Sequence, residues 1–247
     1  MCQYSEDACR IYSKLPVYKN KVKKTITNIK EMLKKVDKPY IAFSCGKDSS
    51  VLADMVLQLN PKIPLRFISS GETRILHNVD DVINRFIQKY NANVEEICFD
   101  RVWSDEWKNS TFDEQRKAGR RDIQTINNSL YNGVFMGLRI DESRARSISL
   151  KKCQTDGLPK FMYKYTNRDF YRMCPLALWK TEDIGAYIVE NEIPTLHWYE
   201  KFGFESRTTA RLTGDAIRQN ALFYVKTTNP EGYQKLLKRF PELSVLT

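Results

Sequence analysis

Histidine is nearly missing, with His77 and His197 the only two in 247 residues, and the six cysteines at 2, 9, 45, 98, 153 and 174 form no C-x-x-C pair. That scatter excludes a disulfide framework and an ordinary zinc or iron–sulfur ligand set, and leaves reduced, mostly core thiols. Neither histidine has a second imidazole at ligand spacing, so both read as packing. Apolar runs stop far short of the roughly 18 residues that cross a bilayer, and the N-terminal stretch is charged throughout with no apolar signal core. The expectation is a cytoplasmic chain without export signal or membrane anchor. Only 10 Gly and 9 Pro accompany 42% hydrophobic and 12% aromatic residues, which excludes a fibrous or disordered chain and allows a sizeable core.

Acidic residues are also in short supply: 30 Asp and Glu against 40 Lys and Arg leave a net charge of +10. Such a surface favours anions, but nucleic acid, a nucleotide and a plain solvated basic face all fit, and charge alone selects none of them. The length suits one large domain, or one domain with an appendage.

Residues 17–37 carry Val22, Ile26, Ile29, Met32, Leu33 and Val36 at spacings of three and four among lysines, the pattern of a basic helix packing by one stripe. Pro39 stops it. Tyr40–Phe43 has strand length and composition, Ser44–Ser50 is polar, and Val51, Leu52, Met55, Val56 and Leu59 have helical spacing. Ile63–Ile68 and Val94–Phe99 read as further strands around a helix with Val79, Val82, Ile83, Phe86 and Ile87 inward. Gly133–Ile140 reads as another strand. Alternation at this spacing predicts a parallel sheet with right-handed crossovers, whose turns at the strand C-termini open on one edge. Residues 101–121, with Trp103 and Trp107, read as a surface excursion held down by its tryptophans or as a flap over the site. Helices are expected over 182–191, ended near Pro194, and over 230–239.

The strongest local signal is Ser44-Cys45-Gly46-Lys47-Asp48-Ser49 between a strand and a helix. Small residues let backbone N–H groups approach an anion, the helix N-terminus faces it, and Ser44, Ser49 and Lys47 add donors. Phosphate is the natural occupant, although the ordinary G-x-x-x-x-G-K-[ST] pattern is absent.

This hexamer resembles the S-G-G-x-D-S pyrophosphate loop of the PP-loop ATP pyrophosphatase superfamily. Within it, the chain looks like the phosphoadenosine phosphosulfate reductase family, which includes reductases, the small subunit of ATP sulfurylase and the ATP pyrophosphatases of DNA phosphorothioation. Gly137-Leu138-Arg139-Ile140-Asp141-Glu142-Ser143-Arg144-Ala145-Arg146 is similar to that family's G-x-R-x-x-E-S-x-x-R stretch. Cys174-Pro175-Leu176 through Trp179 to Asp183-Ile184, continuing to Tyr187 and Ile193-Pro194, is similar to its P-L-x-x-W-x-x-x-D-[IV] helix.

The resemblance implies an α/β fold, a Rossmann-like doubly wound, mainly parallel sheet of the adenine nucleotide alpha hydrolase type with a basic C-terminal extension. Residues 1–200 would form the PP-loop nucleotide-binding domain, with a helical segment 1–38, and 201–247 an extension packed on it. Lys47, Asp48, Arg139 and Arg146 are carried over as catalytic residues. Ser44, Cys45, Gly46, Ser49, Ser50, Gly71, Glu142 and Ser143 are carried over as nucleotide contacts, with Glu142 and Ser143 ordering the arginines. The implied ligands are ATP, or an adenylyl sulfate derivative, and Mg²⁺ on Asp48. Two guanidiniums beside a loop of amides suit a polyphosphate, because neutralisation in a partly dry cleft stabilises a leaving pyrophosphate.

Departures from the family pattern narrow the chemistry. Cys45 replaces the first loop glycine, either as a thiol at the nucleotide, activated by Lys47 and the helix N-terminus, or as a buried inert residue. Ser69-Ser70-Gly71-Glu72-Thr73 stands where many relatives have Asp-Thr-Gly. No cysteine follows Cys174, whereas the family's reductases use one in a C-terminal tail. The leading expectation is therefore ATP pyrophosphatase or adenylyl-transfer chemistry in sulfur incorporation, including DNA phosphorothioation. The alternatives are a sulfonucleotide reductase working through Cys45, Cys153 or Cys174, and a nucleotide- or nucleic-acid-binding subunit without turnover. Expected partners are nucleic acid along the basic segments 151–172 and 207–218, a cysteine desulfurase or thioredoxin-like protein, and a second copy of the chain. Aromatics alternating with cations in 151–172 equally describe a half-buried surface strand pair.

Overall fold

The computed structural model describes residues 5–70, 73–99, 114, 130–152, 155–207 and 215–246. Helices α1 (Glu6–Ser13) and α2 (Pro16–Leu33) lead into β1 (Pro39–Phe43), α3 (Lys47–Leu57), β2 (Leu65–Ser70), α4 (Thr73–Leu76), α5 (Val79–Tyr90) and β3 (Val94–Phe99). Then come β4 (Gly133–Phe135), a 3-10 turn (Ile140–Glu142), α6 (Arg144–Lys152), β5 (Met162–Lys164), β6 (Tyr171–Met173), α7 (Thr181–Asn191) and α8 (His197–Phe202). Two helices, α9 (Asp215–Thr228) and α10 (Pro230–Arg239), and a 3-10 stretch (Pro241–Leu246) close the chain.

The six strands lie in the order β3-β2-β1-β4-β6-β5, parallel except for β5, which runs antiparallel to β6. From β1 the chain winds outward through β2 to β3, then returns to place β4 on the other side of β1. This reversal leaves a crevice outside the C-terminal ends of β1 and β4, the position where open α/β sheets take their ligands. Central β1 is covered on both faces, with Pro39, Tyr40, Ile41 and Phe43 buried. α3 is buried along nearly its whole length, as expected of a helix apolar on every side.

Two buried carboxylates fix the helices around α3. Asp183 accepts from Tyr12 Oη at 2.9 Å, Lys21 Nζ at 2.7 Å and the Lys180 amide at 2.7 Å, fastening α1 and α2 to α7. Asp54 of α3 accepts from Gln58 Nε2 at 2.7 Å, Lys89 Nζ at 2.9 Å, Tyr187 Oη at 2.9 Å and the Tyr90 hydroxyl. Trp179, 1% exposed, lies in the core beneath α7, its indole N–H bonded to Thr25. Leu222, Val225, Tyr233 and Leu236 of the two last helices join the main core, and Asn229 Nδ2 donates to the Ile75 carbonyl at 3.2 Å.

Several expected boundaries move. The first long helix ends at Leu33, so Val36 is buried beyond it. The expected strand 133–140 keeps only Gly133–Phe135; the Met136 amide still reaches the Met173 carbonyl, but the chain then leaves the sheet to cross the start of α3. The basic aromatic stretch contains a short strand pair, β5 and β6. His77 is a packing residue, edge-on to Trp198 at 5.8 Å. Gly71, Trp103, Trp107, Cys153, Arg211 and the side chain of Arg218 lie outside the described residues. Among the described residues no helix is long and apolar enough to cross a membrane.

Candidate functional site

The loop after β1 makes its turn at Cys45, whose φ of 58° is left-handed. That conformation favours glycine. Gly46 then begins α3 without a side-chain cap. The first-turn amides have no partner within the helix, and they face the crevice with the positive end of the helix dipole. Ser49 holds the loop closed: its hydroxyl donates to the Gly46 carbonyl at 2.9 Å and accepts from the Ser44 amide at 3.2 Å and the Ser44 hydroxyl at 3.0 Å. Its oxygen is therefore occupied in shaping the loop.

Asp48 and Arg139 form the centre of the site. Arg139, 3% exposed, donates from Nε to Asp48 Oδ1 at 2.6 Å and from Nη1 to the Trp179 carbonyl at 3.4 Å. Lys47, 6% exposed, brings Nζ to 3.6 Å from Asp48 Oδ2 and 3.2 Å from the Ser206 carbonyl. Burial holds its ammonium below the ordinary lysine range, against the opposing pull of Asp48. The backbone carrying Arg139 can come this close because residue 137 is glycine. A Cβ there would stand 2.9 Å from the Asp48 carbonyl carbon and oxygen and 3.1 Å from the Ser49 nitrogen.

Arg146 enters from α6, its Nε 3.1 Å from Glu142 Oε2, and the Ser143 hydroxyl accepts its amide at 3.2 Å. Glu142 thus holds the Arg146 guanidinium and Ser143 its backbone amide, whereas the Arg139 guanidinium is held by Asp48. Burial, with the charge of Asp48 second, raises the Glu142 carboxyl above its usual range.

These groups line one cleft of about 750 Å³ with Ser44, Gly46 and Ser49. The structure removes two expected contacts from its wall. Cys45 is fully buried with Sγ 3.9 Å from the Val79 carbonyl, and burial pushes its thiol up, the opposite of what an activated thiolate needs. Ser50 is fully buried, its hydroxyl without a partner among the described residues. Cys174 is equally enclosed, its thiol pushed up to about 11.

Other cleft residues escape sequence reasoning. Tyr199 of α8 accepts the Lys47 amide on its hydroxyl at 3.3 Å and carries the Lys47 ammonium 5.0 Å from its ring centre. Arg66 of β2 is held by Glu95 at 3.0 Å. Arg207, which donates to the Glu142 carbonyl, reaches the cleft from the segment after α8. Nothing in the spacing around Tyr199 or Arg66 marks either residue. Ala42, Ile68 and Met136 give the cleft an apolar side.

A sequence model of the phosphoadenosine phosphosulfate reductase domain matches residues 38–206. The chain belongs to this family. It is 25% identical over 197 residues to sulfate adenylyltransferase subunit 2 of Streptomyces lavendulae, covering 68% of this chain and 59% of that protein, so it spans less than two thirds of that relative. Two solved structures share the fold at 16% identity. Phosphoadenylyl-sulfate reductase from Candida auris, in a phosphate complex, has a TM-score of 0.50 over 74% of this chain and 90% of its own. The U34-tRNA thiolase NcsA from Methanococcus maripaludis, with its [4Fe-4S] cluster, has a TM-score of 0.51 over 92% of this chain and 79% of its own. The mostly parallel α/β sheet is thus that of the reductase and PP-loop proteins.

Proposed function

We propose that the chain binds ATP in the cleft and transfers its adenylyl group to an acceptor oxygen, releasing pyrophosphate, as a step in sulfur metabolism. One observation carries this reading: Lys47, Arg139 and Arg146 line a single cleft with the N-terminal turn of α3. Amides and three cations form a cradle for a polyphosphate, and each charge-assisted hydrogen bond contributes about 1.5–3 kcal/mol. The apolar side formed by Ala42, Ile68 and Met136 suits an adenine face. The Streptomyces relative is a sulfate adenylyltransferase subunit by name, which supports adenylyl transfer and a companion subunit. A cysteine desulfurase or thioredoxin-like partner belongs to the same reading.

In the step itself, an acceptor oxygen attacks the α-phosphorus in line, the bond to the α,β-bridging oxygen breaks, and that electron pair leaves with pyrophosphate. Lys47 and the α3 amides hold the departing charge, while Arg139 and Arg146 orient the chain of phosphates. Among the described residues no three His, Cys, Asp or Glu cluster as a metal site. Mg²⁺ needs only one or two carboxylates when phosphates supply its other ligands, and Asp48 and Glu142 on the cleft wall fit an ion of that kind. When bound it would neutralise charge on the leaving group.

Incubation with α-labelled ATP, Mg²⁺ and candidate acceptors should release AMP or adenylylated product with pyrophosphate, and Lys47→Ala or Asp48→Ala should slow release about a hundredfold or more. Tight ATP binding with no pyrophosphate from wild type, alone or with partner proteins, would leave a binding subunit instead.

A further inference from the structure

A basic surface runs outward from the cleft. Between residues 144 and 172 eight Arg and Lys stand against two Asp, so this stretch holds six of the chain's ten net positive charges. Arg146, on the cleft wall, is its inner end. Arg144, Lys151 and Lys152 continue it, exposed, along α6. Arg168 and Arg172 extend it over the β5–β6 pair at the sheet edge. The two halves form one surface: Arg172 Nη2 donates to Ser149 Oγ of α6 at 3.4 Å, and Leu150 shares a small core with Phe161 and Tyr163.

Little of this charge is neutralised internally. Arg146 pairs with Glu142 and Lys164 with Asp169; among the described residues no carboxylate pairs with Arg144, Lys151 or Lys152. Rings interleave with the cations. The Arg168 guanidinium lies 4.3 Å from the centre of Tyr165, itself 36% exposed, and that of Arg172 lies 4.0 Å from Tyr163. A guanidinium laid on a ring keeps its outer plane for stacking and its edge for phosphate. Charges that track a backbone together with stackable planes describe a platform for unpaired nucleotides. A bare anionic membrane would use the charge but not the planes, and a duplex would need an element protruding into a groove, whereas α6 is packed down by Leu150.

We infer that the α6 and β5–β6 surface binds single-stranded nucleic acid and leads one of its nucleotides into the cleft as the acceptor. The binding half stands on the surface itself; the acceptor half rests on the adenylyl-transfer reading above.

Fluorescence anisotropy of a labelled single-stranded oligonucleotide, with ATP omitted, reads binding apart from chemistry. Affinity should fall steeply with salt, by a log–log slope of roughly −0.7 for each phosphate neutralised. The triple variant R144A/K151A/K152A should weaken binding about tenfold or more and flatten that slope by roughly 2, with ATP affinity unchanged. Tyr165→Ala should weaken it about fivefold or more through lost stacking. Should the triple variant melt early, Arg168→Ala takes its place with the same direction of effect. Ribose and deoxyribose versions of the oligonucleotide identify which polymer is held. With the preferred one present, label from α-labelled ATP should move onto it. Absence of binding at low salt, binding that all the variants leave intact, or capture by anionic vesicles in preference to oligonucleotide overturns the inference. Oligonucleotide binding without pyrophosphate release sinks the adenylyl-transfer reading while the surface stands, and pyrophosphate release without oligonucleotide binding does the reverse.

Discussion

Lys47 meets Tyr199 twice: its amide donates to the phenol oxygen at 3.3 Å, and its ammonium lies 5.0 Å from the centre of the same ring. The ring and the hydroxyl can be separated by substitution. Tyr199→Phe removes the acceptor of the amide and should lower stability by about 1 kcal/mol. It leaves the ammonium on its ring, so ATP affinity should change little. Tyr199→Leu removes both contacts, and the lost cation–π attraction of about 0.5–2 kcal/mol should appear as a weaker ATP affinity. Melting curves and nucleotide titration read the two effects; equal affinity losses in both variants would assign the role to the hydroxyl.

Gly137 and Gly46 should respond differently to alanine. At Gly137 the new methyl meets Asp48 backbone atoms at 2.9 Å, which cannot turn aside. The segment bearing Arg139 must move off α3 and stretch its 2.6 Å bond to Asp48. We expect a loss of about 1–3 kcal/mol, the usual range for forced overpacking, together with weakened ATP binding. At Gly46 the nearest atoms are the Ser44 hydroxyl at 3.3 Å and the Tyr199 hydroxyl at 3.5 Å, both ends of side chains that can shift. Thermal melts of the two variants should rank Gly137→Ala as the more damaged.

What could be read from the sequence followed the reach of local patterns. The strand, turn and helix around Ser44–Ser49 were legible because a short apolar run, a small-residue turn and helical spacing follow one another directly. Lys47, Asp48, Arg139 and Arg146 were legible as candidates because two of the three ordered motifs contain them, and all four line the cleft. The direction of a side chain was not. Cys45 stands inside the motif, yet its left-handed φ turns the thiol toward Val79, away from the cleft. Tyr199 and Arg66 reach the site only through the packing of α8 and the register of β2, both of which depend on residues distant in the chain. The end of β4 was misjudged for a related reason. Apolar residues continue through Leu138 and Ile140, but they pack into the small core beneath α6 after the chain has left the sheet.

Buried Lys47 sets stability against function. Its proton is held less tightly in the folded protein than in the unfolded chain, so between the depressed and the ordinary lysine value the unfolded state binds more protons. Stability therefore rises with pH across that window, and below it the penalty of the buried charge is present in full. Lys47→Met should melt higher than wild type at neutral pH, with the advantage fading as pH climbs toward the ordinary lysine range. The same change should weaken ATP binding about 10- to 100-fold through the lost charge-assisted contact. A methionine variant that melts lower than wild type at neutral pH would show that the pairing with Asp48 outweighs desolvation.

The thiols offer the last discrimination. Cys45 and Cys174 are both fully buried and both raised by desolvation, Cys174 to about 11 while sharing its sulfur with the Tyr163 hydroxyl at 3.7 Å. A thiol must be a thiolate to attack a sulfonucleotide, and neither site stabilises that anion. Native protein should therefore protect both from alkylation that denaturant permits, as peptide mass mapping would read. Cys45→Ala and Cys174→Ala should each cost about 1–2 kcal/mol in lost packing while leaving pyrophosphate release near wild type. Sulfite release from phosphoadenosine phosphosulfate that vanishes in one of these variants, with the fold intact by circular dichroism, would instead establish a reductase acting through that sulfur.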